Sequence, residues 1–254
     1  MRQGEEDSGH TEGNTHKCMT DSRFFNRQTM KTGIIVAMES ELDMLLPLVE
    51  DMKETTVNGY TIRQGRMGAN EVAIMQTGIG KVNAAVGAIS LIDTFNPDLV
   101  VNTGIAGGTG QGAGILDVVI ADRIGYHDVY CGPGNARGQV QGLPELFTCR
   151  GDQLVNLAAV SANPAVRRGL IASGDLFVST PAELRAVLEV QPEAVAVDME
   201  SGAIAQVCHL RDVPFLAIRV VSDTPGVENH HEQYGEFFTI APRSTFEVVR
   251  ALLS

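Results

Sequence analysis

The sequence has few cysteines, and they are spread along the chain. Cys18, Cys131, Cys149 and Cys208 form no C-x-x-C pair, which argues against a zinc ribbon or a redox-active dithiol. Disulfide frameworks are typical of small secreted chains that lack a sufficient core. This chain has 254 residues and can bury a sizeable core, so we expect its fold to depend on packing instead.

Positive charge is also scarce. Lys and Arg number 19 against 31 Asp and Glu, which gives a formal net charge of −12. So acidic a chain is a poor match for the phosphates of nucleic acid or for an anionic membrane surface. No apolar run approaches the length of a membrane span, and the N-terminal residues contain no apolar stretch of signal-peptide length. We therefore expect a cytoplasmic protein with no nucleic-acid or membrane partner.

The first 29 residues differ in character from the rest of the chain. They are polar and have no hydrophobic period, which predicts a disordered leader. Residues 30–254 contain no linker, internal repeat or shift in composition. We therefore predict one domain over residues 30–254.

Short apolar runs alternate with segments of helical spacing along this domain. Strands are predicted at 32–38, 60–67, 71–77, 99–102, 117–124, 169–172, 194–197 and 214–221. Helices are predicted near 42–49, 82–92, 154–162 and 199–210, and from about Glu232 with a kink at Pro242. In the second helix the predicted core-facing residues are Val82, Ala85, Val86, Ile89 and Ile92. This order predicts an α/β fold with a central mixed, mostly parallel sheet between helices.

Two glycine-rich segments resemble nucleotide-binding motifs without completing them. Gly108-x-Gly110-x-x-Ala113 has the spacing of a dinucleotide fingerprint, but the residues that follow predict a strand where the fingerprint needs a helix. Gly78-Ile79-Gly80-Lys81 lacks both the earlier glycine and the Ser or Thr of a P-loop. Neither dinucleotide nor P-loop binding is predicted.

Carboxylates follow three of the predicted strands. Glu39 and Glu41 come after the first strand, Asp198 and Glu200 after the strand at 194–197, and Asp223 after the strand at 214–221. Taken singly, each is typical of a helix cap or a turn. Taken together, they predict acids at the edge where α/β sheets bind ligands. Such a group suits acid–base chemistry at an acetal-like carbon with an oxocarbenium-like transition state.

Other candidate groups are weaker. His127-Asp128 follows a strand, but no Ser or Cys lies in a nucleophile context, so a hydrogen-bonded loop histidine is favoured over a catalytic dyad. His230-His231 matches no metal-binding spacing. Phe177 follows a Gly-Asp turn and is either a core residue or a platform for a flat base.

Eight stretches occur in an order and spacing typical of one enzyme family. They are GIIVAMESELDMLL (33–46), TGIGKVNAA (77–85), VNTGIAGG (101–108), YHD (126–128), SGDLFV (173–178), AVDMES (196–201), VCH (207–209) and VPFLAIRVVSD (213–223). Through them residues 30–254 resemble the 5′-methylthioadenosine/S-adenosylhomocysteine nucleosidases of the nucleoside phosphorylase superfamily. The resemblance implies a three-layer sandwich and cleavage of an N-glycosidic bond by water.

The resemblance also implies roles for the acids. Asp223 would be the general acid that protonates N7 of the adenine leaving group. Glu41 would hold and activate the attacking water, and Arg219 would orient Glu41 and that water. Glu200 would bind the ribose hydroxyls.

The implied substrate-binding residues surround these groups. Phe177 would stack on adenine, the backbone of Val178 would read its edge, and Met38 and Met199 would pack beside the sugar. Tyr234 would lie near the 5′ thioether, in an apolar pocket that a partner subunit completes. Further implied pocket residues are Ile105, Ala106, Gly107, Val197, Asp198 and Ser222. The implied assembly is a homodimer without metal or organic cofactor.

Some residues depart from the family pattern. Ile105 stands where Ser is frequent, Asp198 where Glu is frequent, and Ser201 where Ala is common, while residues 129–145 form a diverged, Gly-rich stretch. Three alternatives to the implied activity therefore stay open: a nucleoside phosphorylase, a hydrolase of another 5′-substituted adenosine such as aminodeoxyfutalosine, and a nucleoside-binding module without turnover.

Overall fold

The apolar runs of the sequence form the central strands of a mixed sheet in the computed structural model, which describes residues 29–225, 235, 237 and 246–253. The strands are β1 (Lys31–Val36), β2 (Glu50–Val57), β3 (Tyr60–Met67), β4 (Asn70–Gln76), β5 (Leu99–Gly108), β6 (Val118–Tyr126), β7 (Phe147–Thr148), β8 (Val166–Ser173), β9 (Ala194–Asp198) and β10 (Phe215–Asp223). The helices are α1 (Glu39–Leu45), α2 (Lys81–Phe95), α3 (Pro181–Val190), α4 (Ser201–Arg211) and α5 (Glu247–Leu253). The predicted α/β class, a mixed sheet with helices packed on it, is confirmed.

The strand order brings the ends of distant segments together. The sheet runs β10-β6-β8-β9-β5-β1-β4-β3-β2, and β10 also pairs with β5. Strands β5, β10, β6, β8 and β9 therefore close into a ring, a feature that the sequence pattern did not predict. β5 runs parallel to β1 and β10, and β8 runs parallel to β9. The carboxyl ends of β1, β5 and β10 consequently lie at one edge of the sheet.

Helix α2 buries Ile92 as predicted, but most of its buried face differs from the predicted one. Ala84, Ala88, Leu91, Ile92 and Phe95 are buried, and small residues let the helix approach the sheet closely. The predicted core residues Val82, Val86 and Ile89 are instead 73%, 51% and 40% exposed. The helix therefore has two apolar faces, and the sequence period alone did not indicate which one faces the sheet.

Other sequence predictions also need correction, and the sequence pattern predicts neither α3 nor β7. Residues 154–162 contain a short 3-10 turn (Leu157–Ala159) in place of an α-helix, because the side chain of Asn156 accepts the Ala159 N–H and closes the turn locally. β2 was not predicted, since it is a polar, exposed edge strand without apolar alternation. β5 continues to Gly108, so the glycine-rich segment lies within the strand, where it pairs with β9 and β10.

The last predicted segment is described only in part. Residues 247–253 form α5 as expected for a helical end, but Pro242 and its predicted kink lie outside the described residues. The predicted leader also lies outside them, apart from Thr29. None of the described helices is long and apolar enough to cross a membrane.

Candidate active site

A pocket opens at the carboxyl ends of β1, β5, β9 and β10. It is lined by Ala37, Met38, Glu41, Ile79, Ile105, Ala106, Gly107, Leu176, Phe177, Val178, Val197, Asp198, Met199, Glu200, Ser222 and Asp223. The acids predicted at three strand ends thus share one cavity. Its remaining walls are largely apolar, which suits a ligand with a flat base and an apolar substituent.

Glu41 is held at the bottom of the pocket by backbone N–H groups. It lies in the first turn of α1 and is only 3% exposed. One carboxylate oxygen accepts hydrogen bonds from the N–H groups of Ala37 (2.9 Å) and Met38 (3.0 Å), and the other from Ile105 (2.9 Å). Burial raises the pKa of Glu41, while these hydrogen bonds and the positive charge of Arg219 oppose the rise. Glu41 therefore both caps its helix and lines the pocket.

Glu200 joins the pocket to the turn before α2. Its Oε1 accepts the N–H of Gly80 at 2.9 Å, and the residue is 8% exposed. Burial, followed by the negative charge of Asp198, raises the pKa of Glu200 to about 7. Gly80 has φ of +95°, a conformation that L side chains rarely adopt, so glycine is needed where the backbone offers this N–H.

Arg219 lies behind the pocket wall and pairs with Asp198. Its Nε and Nη2 contact Asp198 Oδ2 at 2.9 and 2.7 Å, and its remaining donors reach backbone and side-chain oxygens of Asn102 and the Ile218 carbonyl. None of these contacts joins Arg219 to Glu41, so the expectation that Arg219 orients Glu41 and the water stays a prediction. The positive charge of Arg219 lowers the pKa of Glu41 against the larger effect of burial.

Asp198 is itself fixed by a second partner. Its Oδ1 accepts hydrogen bonds from the Ser201 hydroxyl at 2.9 Å and from the Ser201 N–H at 3.3 Å. The departures at positions 198 and 201 are thus in contact with each other. This buried carboxylate joins β9, α4 and β10 at the edge of the pocket.

Asp223 reaches the pocket through an irregularity in β10. The pairing register of β10 with β5 shifts between Val221 and Asp223. Ser222, which lies between them, is therefore not matched with a residue of β5. Such a bulge redirects side chains at the end of a strand. The Ser222 hydroxyl lies 3.2 Å from the Ala106 carbonyl oxygen and also contacts a carboxylate oxygen of Asp223. Asp223 is 3% exposed.

The opposite wall is formed by the segment after β8. Phe177 is 43% exposed and lines the pocket, so it is not a core residue, whereas Val178 is buried. Met38 and Met199 are half-buried and line the same pocket as the acids. An aromatic face beside apolar side chains gives this wall the properties of a base-binding surface.

Most of the predicted site residues line the pocket. Arg219 lies behind it, and Tyr234 lies outside the described residues. Sequence reasoning missed Ala37, Ile79 and Leu176, although each lies within a stretch that carries the resemblance. Among the described residues no cluster of three or more His, Cys, Asp or Glu has an arrangement that could hold a metal ion.

Comparisons with known proteins agree with this geometry. Residues 31–254 match the phosphorylase superfamily. A 5′-methylthioadenosine/S-adenosylhomocysteine nucleosidase from Colwellia psychrerythraea 34H, solved with adenine, is 36% identical with a TM-score of 0.81, and the match covers 89% of this chain and 95% of that chain. The nucleosidase from S. pneumoniae, solved with the transition-state inhibitor MT-ImmA, is 36% identical with a TM-score of 0.81 and coverage of 88% and 98%.

A third nucleosidase, from Neisseria meningitidis in complex with methylthio-immucillin-A, is also similar. It is 36% identical with a TM-score of 0.80, and the match covers 87% of this chain and 98% of that chain. The match to the superfamily and the identities to these solved structures both extend over most of the chain. This chain therefore belongs to the phosphorylase superfamily and, within it, to the 5′-methylthioadenosine/S-adenosylhomocysteine nucleosidases.

Proposed function

We propose that the protein hydrolyses the N-glycosidic bond of 5′-methylthioadenosine and S-adenosylhomocysteine, releasing adenine and the corresponding 5-thioribose. The observation that carries the proposal is the meeting of Glu41, Glu200 and Asp223 in one pocket beside Phe177. Cleavage of this bond needs a proton for the base, support for a cationic sugar and a placed water. The three buried acids can divide these tasks.

Asp223 supplies the proton to N7 of adenine in this proposal. The Ser222 hydroxyl donates to Asp223 Oδ1 and also lies 3.2 Å from the Ala106 carbonyl oxygen, which orients the carboxyl so that its other oxygen carries the proton for N7. A protonated carboxyl that is buried beside other acids suits a general acid at neutral pH. Adenine then leaves as a neutral base.

Glu41 holds the attacking water on the other side of the sugar. Burial raises the pKa of Glu41, but the three hydrogen bonds that it accepts from backbone N–H groups and the charge of Arg219 oppose that rise and support its anionic form. An anionic carboxylate can take a proton from water while its charge stabilises the oxocarbenium-like sugar. Glu200 binds the ribose hydroxyls from the side of Gly80.

The remaining walls recognise the two ends of the substrate. Phe177 stacks on adenine and the Val178 backbone reads its edge, while Met38 and Met199 pack beside the sugar. Ile105, Ala106, Gly107 and Val197 complete the surface below the ribosyl group. Tyr234 is assigned to the 5′ thioether on the resemblance alone.

A nucleoside phosphorylase is less well supported by the pocket. Binding of phosphate dianion calls for cationic donors. The described lining residues include no lysine or arginine, and the guanidinium of Arg219 is already engaged behind the wall by Asp198. Glu41 would also repel phosphate. These contacts favour water as the nucleophile.

The activity is tested by measuring adenine release from the purified protein. We expect release from 5′-methylthioadenosine and S-adenosylhomocysteine at a rate that does not depend on added phosphate, with free 5-thioribose as the second product. Other 5′-substituted adenosines, including aminodeoxyfutalosine, are assayed in parallel to establish the preferred substituent. Tight binding of the nucleosides without turnover, or formation of a sugar phosphate, would contradict the proposal.

We also propose that two copies of the chain associate through the exposed face of α2. Val82, Val86 and Ile89 form an apolar row, and Ile79 continues it to the pocket rim. An uncharged surface of this kind lets two acidic chains approach each other, and its continuity with the pocket suits a partner that completes the 5′ end.

A cytoplasmic location fits the sequence and the unpaired Cys131, Cys149 and Cys208.

The exposed row of α2 gives a direct test of association. Val86→Asp places a charge at the centre of the row, so we expect light scattering during gel filtration to show monomers where the unaltered protein forms dimers. Leu210→Asp is the control, because Leu210 is 63% exposed but lies on α4 and is not part of the row. A monomeric unaltered protein, or a Val86→Asp protein that remains dimeric, would refute this interface.

A further inference from the structure

Three charged residues outside the pocket form a closed ring of hydrogen bonds, here called the Lys81 ring. Lys81 begins α2, Asp128 follows β6 and Asp175 follows β8. Lys81 Nζ and the Asp175 N–H both donate to Asp128 Oδ2, at 2.7 and 2.8 Å. The Lys81 N–H donates in turn to Asp175 Oδ1 at 2.7 Å. Three segments that are distant in sequence are thus joined at one point.

The Lys81 ring gives a structural role to Asp128, for which the sequence indicated no clear one. The sequence leaves a His127-Asp128 dyad as an alternative, but the Asp128 carboxylate accepts hydrogen bonds from Lys81 Nζ and from the Asp175 N–H. The Lys81 ammonium also lies over the Tyr126 ring, 5.4 Å from its centroid, which restricts its position further. The side chains of Lys81 and Asp128 are each 25% exposed, so water screens their charges only in part.

One side of the Lys81 ring leads to the sugar-binding acids. Lys81 directly follows Gly80, whose N–H donates to Glu200. A Cβ at Gly80 would lie 3.1 Å from Asp175 Oδ1, so the ring packs directly against this turn. Ile79, one residue earlier, lines the pocket.

The other side leads to the wall assigned to the base. Asp175 directly precedes Leu176, Phe177 and Val178, which all line the pocket. Its side chain and its N–H are both engaged within the ring. The ring therefore connects the segment carrying Phe177 to the segment carrying Gly80.

We propose that the Lys81 ring is a positioning element that sets the spacing between the sugar side and the base side of the pocket. Lys81, Asp128 and Asp175 are positioning residues, because none of them lines the cavity. The assignment of the two sides rests on the proposed function. Loosening the ring lets the Phe177 segment move relative to Glu200, so substrate binding weakens while the acids that perform the chemistry remain in place.

Asp128→Asn and Lys81→Met are the test variants. We expect each to raise KM for 5′-methylthioadenosine about fivefold, the effect of losing an ion pair, with kcat changed less than about twofold. Lys81→Arg keeps the charge and should recover most of the loss. Hydrogen exchange should become faster in peptides covering residues 78–81 and 174–178. Glu193→Gln is the control, because it breaks a 2.7 Å ion pair with Arg123 and neither of these two residues lines the pocket.

The two proposals fail in distinguishable ways. If the unaltered protein releases no adenine, the proposed function fails, and the Lys81 ring is then tested by calorimetric binding of adenine and by the exchange measurement. If the Asp128 and Lys81 variants match the unaltered protein in KM, adenine affinity and local exchange, the ring has no positioning role. Equal losses in the Glu193→Gln control would also overturn the proposal, because they would reflect general stability.

Discussion

Asp223→Asn is expected to lower kcat for adenine release about 10²–10⁴-fold, the range typical of losing a general acid. The amide has nearly the shape of the carboxyl and keeps an acceptor for the Ser222 hydroxyl, so binding and folding should change little. It cannot deliver a proton to N7, and adenine must then leave as an anion. Steady-state kinetics with 5′-methylthioadenosine measure the effect, with KM expected to stay within about threefold.

A second substrate, whose leaving group needs no protonation, distinguishes loss of the general acid from general damage to the enzyme. A p-nitrophenyl 5-thioriboside needs no protonation to depart, so Asp223→Asn should hydrolyse it nearly as well as the unaltered protein does. Asp212→Asn is the matched control, since Asp212 is an exposed acid in the left-handed conformation that asparagine tolerates. A variant at Asp223 that keeps its activity on 5′-methylthioadenosine would remove this residue from the proposed role.

The strand pattern of the sequence was sufficient to bring the acids of the pocket together, whereas the other predicted lining residues rested on the family resemblance. Glu41, Glu200 and Asp223 each follow an apolar strand, and the carboxyl ends of such strands lie together in an α/β sheet. That argument needs only local pattern and strand direction. It therefore also succeeded for the general class of fold.

Features that depend on contacts between distant segments could not be predicted in the same way. The pairing of β10 with both β5 and β6 closes a ring of strands that no local period encodes. The choice of Asp198 as the partner of Arg219 depends on that closure, because β9 and β10 both pair with β5 and so lie on either side of it. The same limit applied to α2, where two apolar faces competed and only tertiary packing decided between them.

Gly104→Ala is expected to lower kcat/KM about 10²-fold although Gly104 is not among the residues that line the pocket. A Cβ at this position would lie 2.3 Å from Glu41 Oε1 and 2.7 Å from its carboxyl carbon. The carboxylate cannot easily withdraw, because its other oxygen is held by the N–H groups of Ala37 and Met38. Overpacking of this kind should also reduce the free energy of unfolding by about 1–3 kcal/mol, measurable by urea denaturation.

Combining Gly104→Ala with a substitution at Glu41 shows whether Gly104 acts through Glu41. In a Glu41→Gln protein the contribution of the carboxylate is already lost, so adding Gly104→Ala should reduce kcat/KM much less than it does in the unaltered protein. Gly114→Ala is the control, since a Cβ there would meet only Asp117 at 3.9 Å. Equal losses in both backgrounds would mean that glycine at 104 serves the strand alone. Unequal losses would mean that the glycine within β5 is required because it leaves room for the acid that holds the attacking water.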